Sequence, residues 1–420
     1  MDAYAPLKVE SIAARLGGHG ELRRRLGADP ARWRAREVGD GNLNLVFIVE
    51  GPAGGAVLKQ ALPYVRLVGE SWPLPLRRSY FEYHALTRQA ARDPGRVPEI
   101  FAFDEAQALI AMEYLSPHVI LRRSLEAGVV HPGLGEALGL FLARTLFRGS
   151  DLAMAAAARK ADLALFAGNV ELCAITEALV FTEPYFDAPL NRHTSPWLDA
   201  LVAELRADAD LKVAAQHLKL AYAANAETLC HGDLHSGSVM AFEGDIKVID
   251  PEFAAYGPFG FDVGMLIANF FLAFFAQGGH EQAKGARDAY RGWILGVTVT
   301  LWSAFKDEFT RLWRTERTGM LYPRALYEDQ GQPGAAERAL SDLLARIWVD
   351  ALGFAGVEMH RRILGLAHVA ELERIADPAR RAACEAPALR MGRYLAVERT
   401  GAPGLEALHA MAWRLQEGGG

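Results

Sequence analysis

The sequence predicts an α+β, bilobal protein: a small antiparallel β-rich N-terminal lobe followed by a large, mainly helical C-terminal lobe. Three observations carry this reading. Between Trp33 and Leu115, short runs of β-type residues are separated by Gly-containing turns. After Ser116-Pro117 the texture changes to long Ala- and Leu-rich segments of helical period. The 420 residues are also more than one hydrophobic core usually serves. The lobes are drawn accordingly, at residues 1–115 and 116–420.

In the first lobe, residues 1–30 are expected to form a helix packed on the sheet. The runs Leu45–Val49, Ala56–Lys59 and Ala108–Met112 read as strands of antiparallel hairpins, and one helical segment, about Arg77–Arg92, interrupts them. In the second lobe, Gly135–Ala161, Ser195–Ala224 and Asp262–Ala276 have helical period. Around Leu229–Ala255, Val239, Ile246, Val248 and Ile249 sit among Gly, Asp, His and Pro, which suggests a loop followed by a small hairpin. The polar stretch Tyr327–Gly334 separates two further helical segments. Val263–Ala276 is the longest apolar stretch. It contains Asn269 and has 14 residues, against the ~20 needed to span a bilayer, so it reads as a buried helix.

Composition excludes some functions. With 45 Lys+Arg against 51 Asp+Glu, the net charge is −6. A nucleic-acid or anionic-membrane binder needs the opposite balance to neutralise phosphate. Any anion must therefore be met by local positive groups or by a metal. Cys173, Cys230 and Cys384 are odd in number and far apart, so neither a disulfide framework nor a zinc knuckle is expected. A reducing cytoplasm fits that pattern, and Met1–Pro6 shows no basic start of a signal peptide.

The chemistry concentrates in His231-Gly232-Asp233-Leu234-His235-Ser236-Gly237-Ser238, followed 17 residues after Asp233 by Asp250-Pro251-Glu252. Two acidic loops, the second directly behind a short apolar strand, suit phosphoryl transfer. One carboxylate accepts the proton of an attacking hydroxyl while others hold Mg²⁺ against nucleotide phosphates. Either loop alone would serve equally as turn and cap carboxylates. Upstream, Glu37–Asn44 is a Gly-containing turn between β-type runs, and Lys59 follows Gly41 by 18 residues on the next strand. Backbone N–H groups of such a turn can approach phosphate, and a strand lysine supplies the positive charge the chain otherwise lacks.

The order of Gly loop, strand lysine, His-Gly-Asp loop and second Asp resembles the protein-kinase-like fold in its aminoglycoside and choline phosphotransferase branch. Within that branch, Asp40-Gly41-Asn42-Leu43-Asn44, Glu70-Ser71-Trp72-Pro73, His231–Ser238, Asp250-Pro251-Glu252-Phe253 and Glu358-Met359-His360-Arg361-Arg362 resemble the 5-methylthioribose kinase family, over about residues 7 to 400. The resemblance implies ATP and Mg²⁺ as cofactors, 5-methylthioribose as acceptor, its 1-phosphate as product, a step of methionine salvage, and a homodimer. It implies Asp233 as catalytic base that also hydrogen-bonds substrate, with His231 as a loop anchor. It places Asn42, Lys59 and the segment Asp250, Pro251 and Glu252 at the nucleotide, with Glu113, Tyr114 and Leu115 as the adenine hinge. Ser238 stands where many relatives carry a metal-binding Asn, so Asp250 and Glu252 together are expected to hold the metal. Glu82 is the chosen partner of Lys59.

Arg361 and Arg362 pose a geometric question, since neighbours on a helix point about 100° apart. They could pair internally with Glu358, three and four residues earlier, or contact the sugar, as the resemblance implies. Trp72, on a Pro-rich loop, suits either closure over a ligand or packing. His235 and His368 are read as structural. Two alternatives stand beside the kinase reading. Another small-molecule phosphotransferase, for an aminoglycoside, choline or homoserine, would share the chemistry but call for a cage around a cation. A non-catalytic nucleotide-binding pseudokinase would not need the set Lys59, Asp233, Asp250 and Glu252.

Overall fold

A computed structural model describes residues 4–39, 43–65, 69–401 and 404–418. Two short helices, α1 (Ile12–Leu16) and α2 (Gly20–Leu26), open the chain; the expected single helix is broken at Gly17-Gly18. The strands β1 (Arg34–Glu37), β2 (Asn44–Gly51) and β3 (Gly54–Ala61) follow, then the small hairpin β4 (Tyr64–Val65) and β5 (Gly69–Pro73). Trp72 therefore sits on a paired strand rather than on a loop. Helix α3 (Arg78–Arg92) follows, starting within a residue of the expected bounds, and then β6 (Ile100–Asp104) and β7 (Leu109–Glu113).

The main sheet is antiparallel, in the order β1-β2-β3-β7-β6. Side chains alternate across a strand, and β3 uses both faces. Ala56 and Leu58 pack with Phe47, Val49, Ile12, Leu22 and Leu26 beneath α1 and α2. Val57 faces the other way, toward the large helical core, and Lys59 points to that side too. The register sets Lys59 between Val46 and Ile110 at the sheet centre. The sequence reading missed β1 and β6: β1 is the run Arg-Ala-Arg-Glu, without the apolar alternation that marks a half-buried strand.

The chain then forms β8 (Val119–Ile120), α4 (Leu121–Ala127), α5 (Leu134–Arg148), α6 (Ala156–Phe166), α7 (Val170–Leu179), α8 (Asp199–Ala207) and α9 (Ala209–Ala224). Two stretches read as continuous are each two helices. Asp208 ends α8 and caps α9 by accepting the backbone N–H of Leu211 at 2.9 Å. The segment after Gly149 similarly divides α5 from α6. Next come β9 (Thr228–Cys230), the hairpin β10 (Val239–Phe242) and β11 (Asp245–Val248), and β12 (Ala255–Gly257). The expected hairpin is present, and β10 also pairs with β8.

Helices α10 (Gly260–His280), α11 (Asp288–Thr315), α12 (Pro333–Leu364), α13 (Ala370–Glu373), α14 (Pro378–Val397) and α15 (Leu405–Glu417) complete the chain. Helix α10 has the length and composition of a membrane span, yet it is wholly covered by protein. It is the axis of the core. A Cβ on Gly264 would lie 2.4 Å from the carbonyl oxygen of Ala351, so α12 can approach α10 only because a hydrogen stands there. That approach positions the C-terminal end of α12, with its two arginines.

Candidate active site

The loop between β9 and β10 is held from below. Asp262, in the first turn of α10, accepts the backbone N–H groups of His231 at 2.6 Å and Gly232 at 3.1 Å. Gly232 has φ +89° and rests on Phe253, where a Cβ would lie 2.1 Å from the Phe253 carbonyl oxygen. Only glycine satisfies both conditions. His231 fastens this loop to the one after β11. Its Nε2 meets the carbonyl of Ile249 at 2.9 Å and must donate, so Nδ1 is free to face the backbone N–H of Asp233 at 3.4 Å. His231 is a loop anchor. Ser238 is another: it donates to the backbone carbonyls of Asp233 and His235, at 2.9 and 3.1 Å.

The carboxylate of Asp233 is gripped on one oxygen. Arg361 Nη1 and Arg362 Nη2 both approach Oδ1 at 3.0 Å, and His235 Nε2 lies 3.3 Å from Oδ2. Burial alone would raise the pKa of Asp233, but Arg361, His235 and Arg362 outweigh it and hold the carboxyl well below its ordinary range. Both readings of the arginine pair have support in the geometry. Glu358 pairs with Arg361 at 3.2 Å and with Arg362 at 2.5 Å, and two side chains 100° apart still meet on one oxygen because each is long enough to bend inward. Two carboxylates and two guanidinium groups make a neutral buried quartet, which is the condition for keeping such charges out of water.

The second cluster gathers Lys59, Glu82, Asp250 and Glu252. Lys59 donates to Glu82 at 2.8 Å, so the chosen partner is the actual one, and it also bonds Asp250. Asp250 has φ +68°, an unusual conformation for a residue with a Cβ that precedes proline; strain of this kind, about 1–3 kcal/mol, is characteristic of functional loops. Glu252 is buried, receives Asn44 Nδ2 at 3.1 Å and lies 3.4 Å from Arg78 Nε. Arg78 is completely buried and also bonds the carbonyls of Leu43 and Leu62, each at 2.6 Å.

Three carboxylates crowd around Lys59, with Arg78 beside Glu252, and this explains opposite behaviour within the cluster. Burial works against the charge of Lys59, but Asp250, Glu82 and Glu252 raise its pKa above the ordinary value, so it stays protonated. Burial and the neighbouring carboxylates push Glu82 up to about 8 against the pull of Lys59, and Glu252 also moves upward. Oxygen atoms of Glu82, Asp250 and Glu252 all lie within 4.8 Å of one another. An all-oxygen, over-acidic donor set of this kind fits a hard divalent cation.

Glu113, Tyr114 and Leu115 leave the sheet at the end of β7. The Glu113 backbone N–H donates to Glu99 at 2.8 Å and its carboxylate receives the Glu99 N–H at 3.1 Å. Tyr114 packs against Gly55, where a Cβ would lie 2.8 Å from its Cδ1, and Leu115 is buried. Asn42 lies outside the described residues. Trp72 packs with Leu74, Leu172 and Phe253, beside a cavity of about 300 Å³ between β5 and α7.

Thus Lys59, Asp250 and Glu252 form one cluster, Asp233, Arg361 and Arg362 another, and His231 ties the two loops that carry them. The sequence reading assigned no site role to Asn44, Arg78 or Asp262, and left His235 outside the site. A signal existed for Asp262, an acid opening an otherwise apolar helix; none existed for Arg78.

Residues 34–294 match the family described as "Phosphotransferase enzyme family". A methylthioribose kinase of Escherichia coli is 45% identical over 396 residues, covering 94% of each chain. Methylthioribose kinase 1 of Oryza sativa subsp. japonica is 42% identical over 93% of this chain and 91% of its own. A methylthioribose kinase of Geobacillus thermodenitrificans is 41% identical over 96% of both. A solved glucosamine kinase aligns at TM-score 0.45 and 15% identity, over 91% of this chain and 83% of that one.

Proposed function

This chain belongs to the phosphotransferase enzyme family and, within it, to the methylthioribose kinases, and from that premise we propose how its residues carry the reaction. The enzyme phosphorylates 5-methylthioribose to 5-methylthioribose 1-phosphate, a step of methionine salvage. The observation that carries this is the near-full-length match, 45% identical over 94% of the chain, joined to a site with the same chemistry.

In our reading the phosphoryl donor is ATP. Its adenine lies against the backbone of Glu113, Tyr114 and Leu115, and its phosphates meet Lys59, the turn containing Asn42, and the segment Asp250, Pro251 and Glu252. Asp233 accepts the proton of the sugar 1-hydroxyl as the oxygen attacks the γ-phosphorus. The bond to the β-phosphate oxygen breaks and leaves ADP, and the proton passes to solvent. Asp250 and Glu252 would hold Mg²⁺, with Glu82 close by. When bound, the cation neutralises charge on the transferring phosphoryl group. Lys59 stays charged throughout, fixed by Glu82 on one side. Arg361 and Arg362 orient Asp233, and sugar oxygens reaching that carboxylate come within range of the same guanidinium groups. Most of the rate enhancement then comes from positioning and charge neutralisation.

Two further features belong to this reading. The free thiols of Cys173, Cys230 and Cys384 suit a reducing cytoplasm, and a homodimer follows from the family resemblance, to be checked by light scattering. A coupled ADP-release assay across 5-methylthioribose, ribose, choline and kanamycin tests the function. Release dependent on 5-methylthioribose alone is expected, and its absence would sink the assignment.

A further inference from the structure

The residue left over from the catalytic loop is His235, and its surroundings define its protonation. Its Nδ1 receives the backbone N–H of Gly237 at 2.8 Å and faces Arg122 Nη2 at 3.0 Å. Both neighbours are obligate donors, so Nδ1 must be the bare nitrogen and Nε2 must carry the hydrogen. Burial, with Arg362 and Arg122 close by, holds the imidazole at about 3 in spite of Asp233, so the ring is neutral. Arg122 is itself braced: its backbone N–H donates to the Ser236 carbonyl at 3.0 Å, and its Nε lies 3.2 Å from both Ser236 Oγ and Glu371. The tautomer is therefore set by a strut running from α4 and α13, not by the reacting groups.

This has a consequence for Asp233. A carboxylate offers about four lone-pair directions. Two on Oδ1 are occupied by Arg361 and Arg362, and His235 Nε2 lies 3.3 Å from Oδ2, near enough to close to a hydrogen bond. Among the described residues Oδ2 has no hydrogen bond of ordinary length, and once His235 closes on it a single direction remains there. A contact of 3.3 Å is long, but such bonds tighten when substrate arrives.

We propose that His235 is a positioning residue for phosphoryl transfer: its Nε2–H fixes the Asp233 carboxylate so that a single lone pair of Oδ2 faces the sugar hydroxyl. This rests on Asp233 being the base, and the experiment separates the two ideas. Asparagine reproduces the Nδ1 acceptor of histidine but cannot reach Asp233; glutamine reproduces the Nε2 donor but gives up the Nδ1 contacts to Gly237 and Arg122. His235→Asn, His235→Gln and Asp233→Asn are assayed with 5-methylthioribose and ATP, reading kcat, the KM for ATP and thermal melting. His235→Asn is expected to lose kcat by up to about 100-fold with the KM for ATP little changed, while His235→Gln keeps it within about threefold. The reverse order, or equal losses, would show that the ring serves only to hold the loop and would overturn the proposal. If His235→Asn does not fold, a loss of kcat in a folded His235→Gln comparable to that of Asp233→Asn overturns it as well. Should Asp233→Asn retain wild-type kcat, the base assignment itself fails and the proposal goes with it. If Asp233→Asn is inactive while His235→Asn is fully active, only the role of His235 is lost.

Discussion

Asn44 donates to Glu252 across 208 positions of sequence, and Arg78 completes the same contact from the first turn of α3. Neither could be found by spacing, because nothing in either local segment marks a partner so far along the chain. Lys59, Asp233 and Asp250 were legible because the motifs around them are local: a β-run ahead of a turn, or Gly and Asp side by side. At this scale Glu252→Gln should abolish turnover at limiting Mg²⁺ while far-UV circular dichroism stays unchanged; an undiminished kcat would refute its assignment to the metal. Asp233→Asn should lower kcat by roughly 10²- to 10⁴-fold, measured by ADP release. Arg78→Met removes one of the two buried cations beside Glu252 and the donor to the Leu43 and Leu62 carbonyls, so it should cost about 3–5 kcal/mol of stability in urea melts, besides weakening activity.

Among the elements, α3, the β10–β11 hairpin and α10 came through from periodicity and turn chemistry. The reading failed where helical period runs on across a break: Asp208 lies inside an unbroken Ala-rich pattern, and only its capping bond to Leu211 reveals it as a boundary. The contact between α10 and α12 was equally hidden, since a glycine inside a helix does not say which neighbour it admits. Gly264→Val tests that contact. Forcing α12 outward should cost about 1–3 kcal/mol and, by displacing Arg361 and Arg362 from Asp233, depress kcat further than the lost stability alone explains. An activity loss without any shift in the urea midpoint would argue against that coupling.

For the molecule as a whole, the two-part α+β organisation followed from texture alone, whereas strand order depends on pairings between distant segments. Two buried histidines of the helical lobe contribute an acid-sensitive share of its stability. His360 is fully enclosed between α12 and α14 and donates to the Leu389 carbonyl; burial holds it down at about 4, and burial together with Arg192 does the same for His368. In the unfolded chain such groups titrate near 6.5. Above that value both states are neutral and stability is full; below it the unfolded chain takes up protons first. The share of stability that rests on these two histidines should therefore fall as pH drops from about 6.5 to about 4, His360 giving roughly 3 kcal/mol. Glu82, raised to about 8, works in the opposite direction as pH falls through that value. Chemical melts of the wild type and His360→Leu across that window check this: the variant should lose less stability between about pH 6.5 and about pH 4 than the wild type does, and equal slopes would refute the assignment to His360.

The axis helix carries a last consequence, for biosynthesis. Its covering layers α12 and α14 are translated after it, so a ribosome that has finished α10 has produced a greasy rod that still lacks those two layers. The nascent chain should therefore need that helix shielded until its last quarter emerges. Fragments ending at residue 332 should partition to the pellet on cell lysis, whereas point variants that merely disable the site stay in the supernatant.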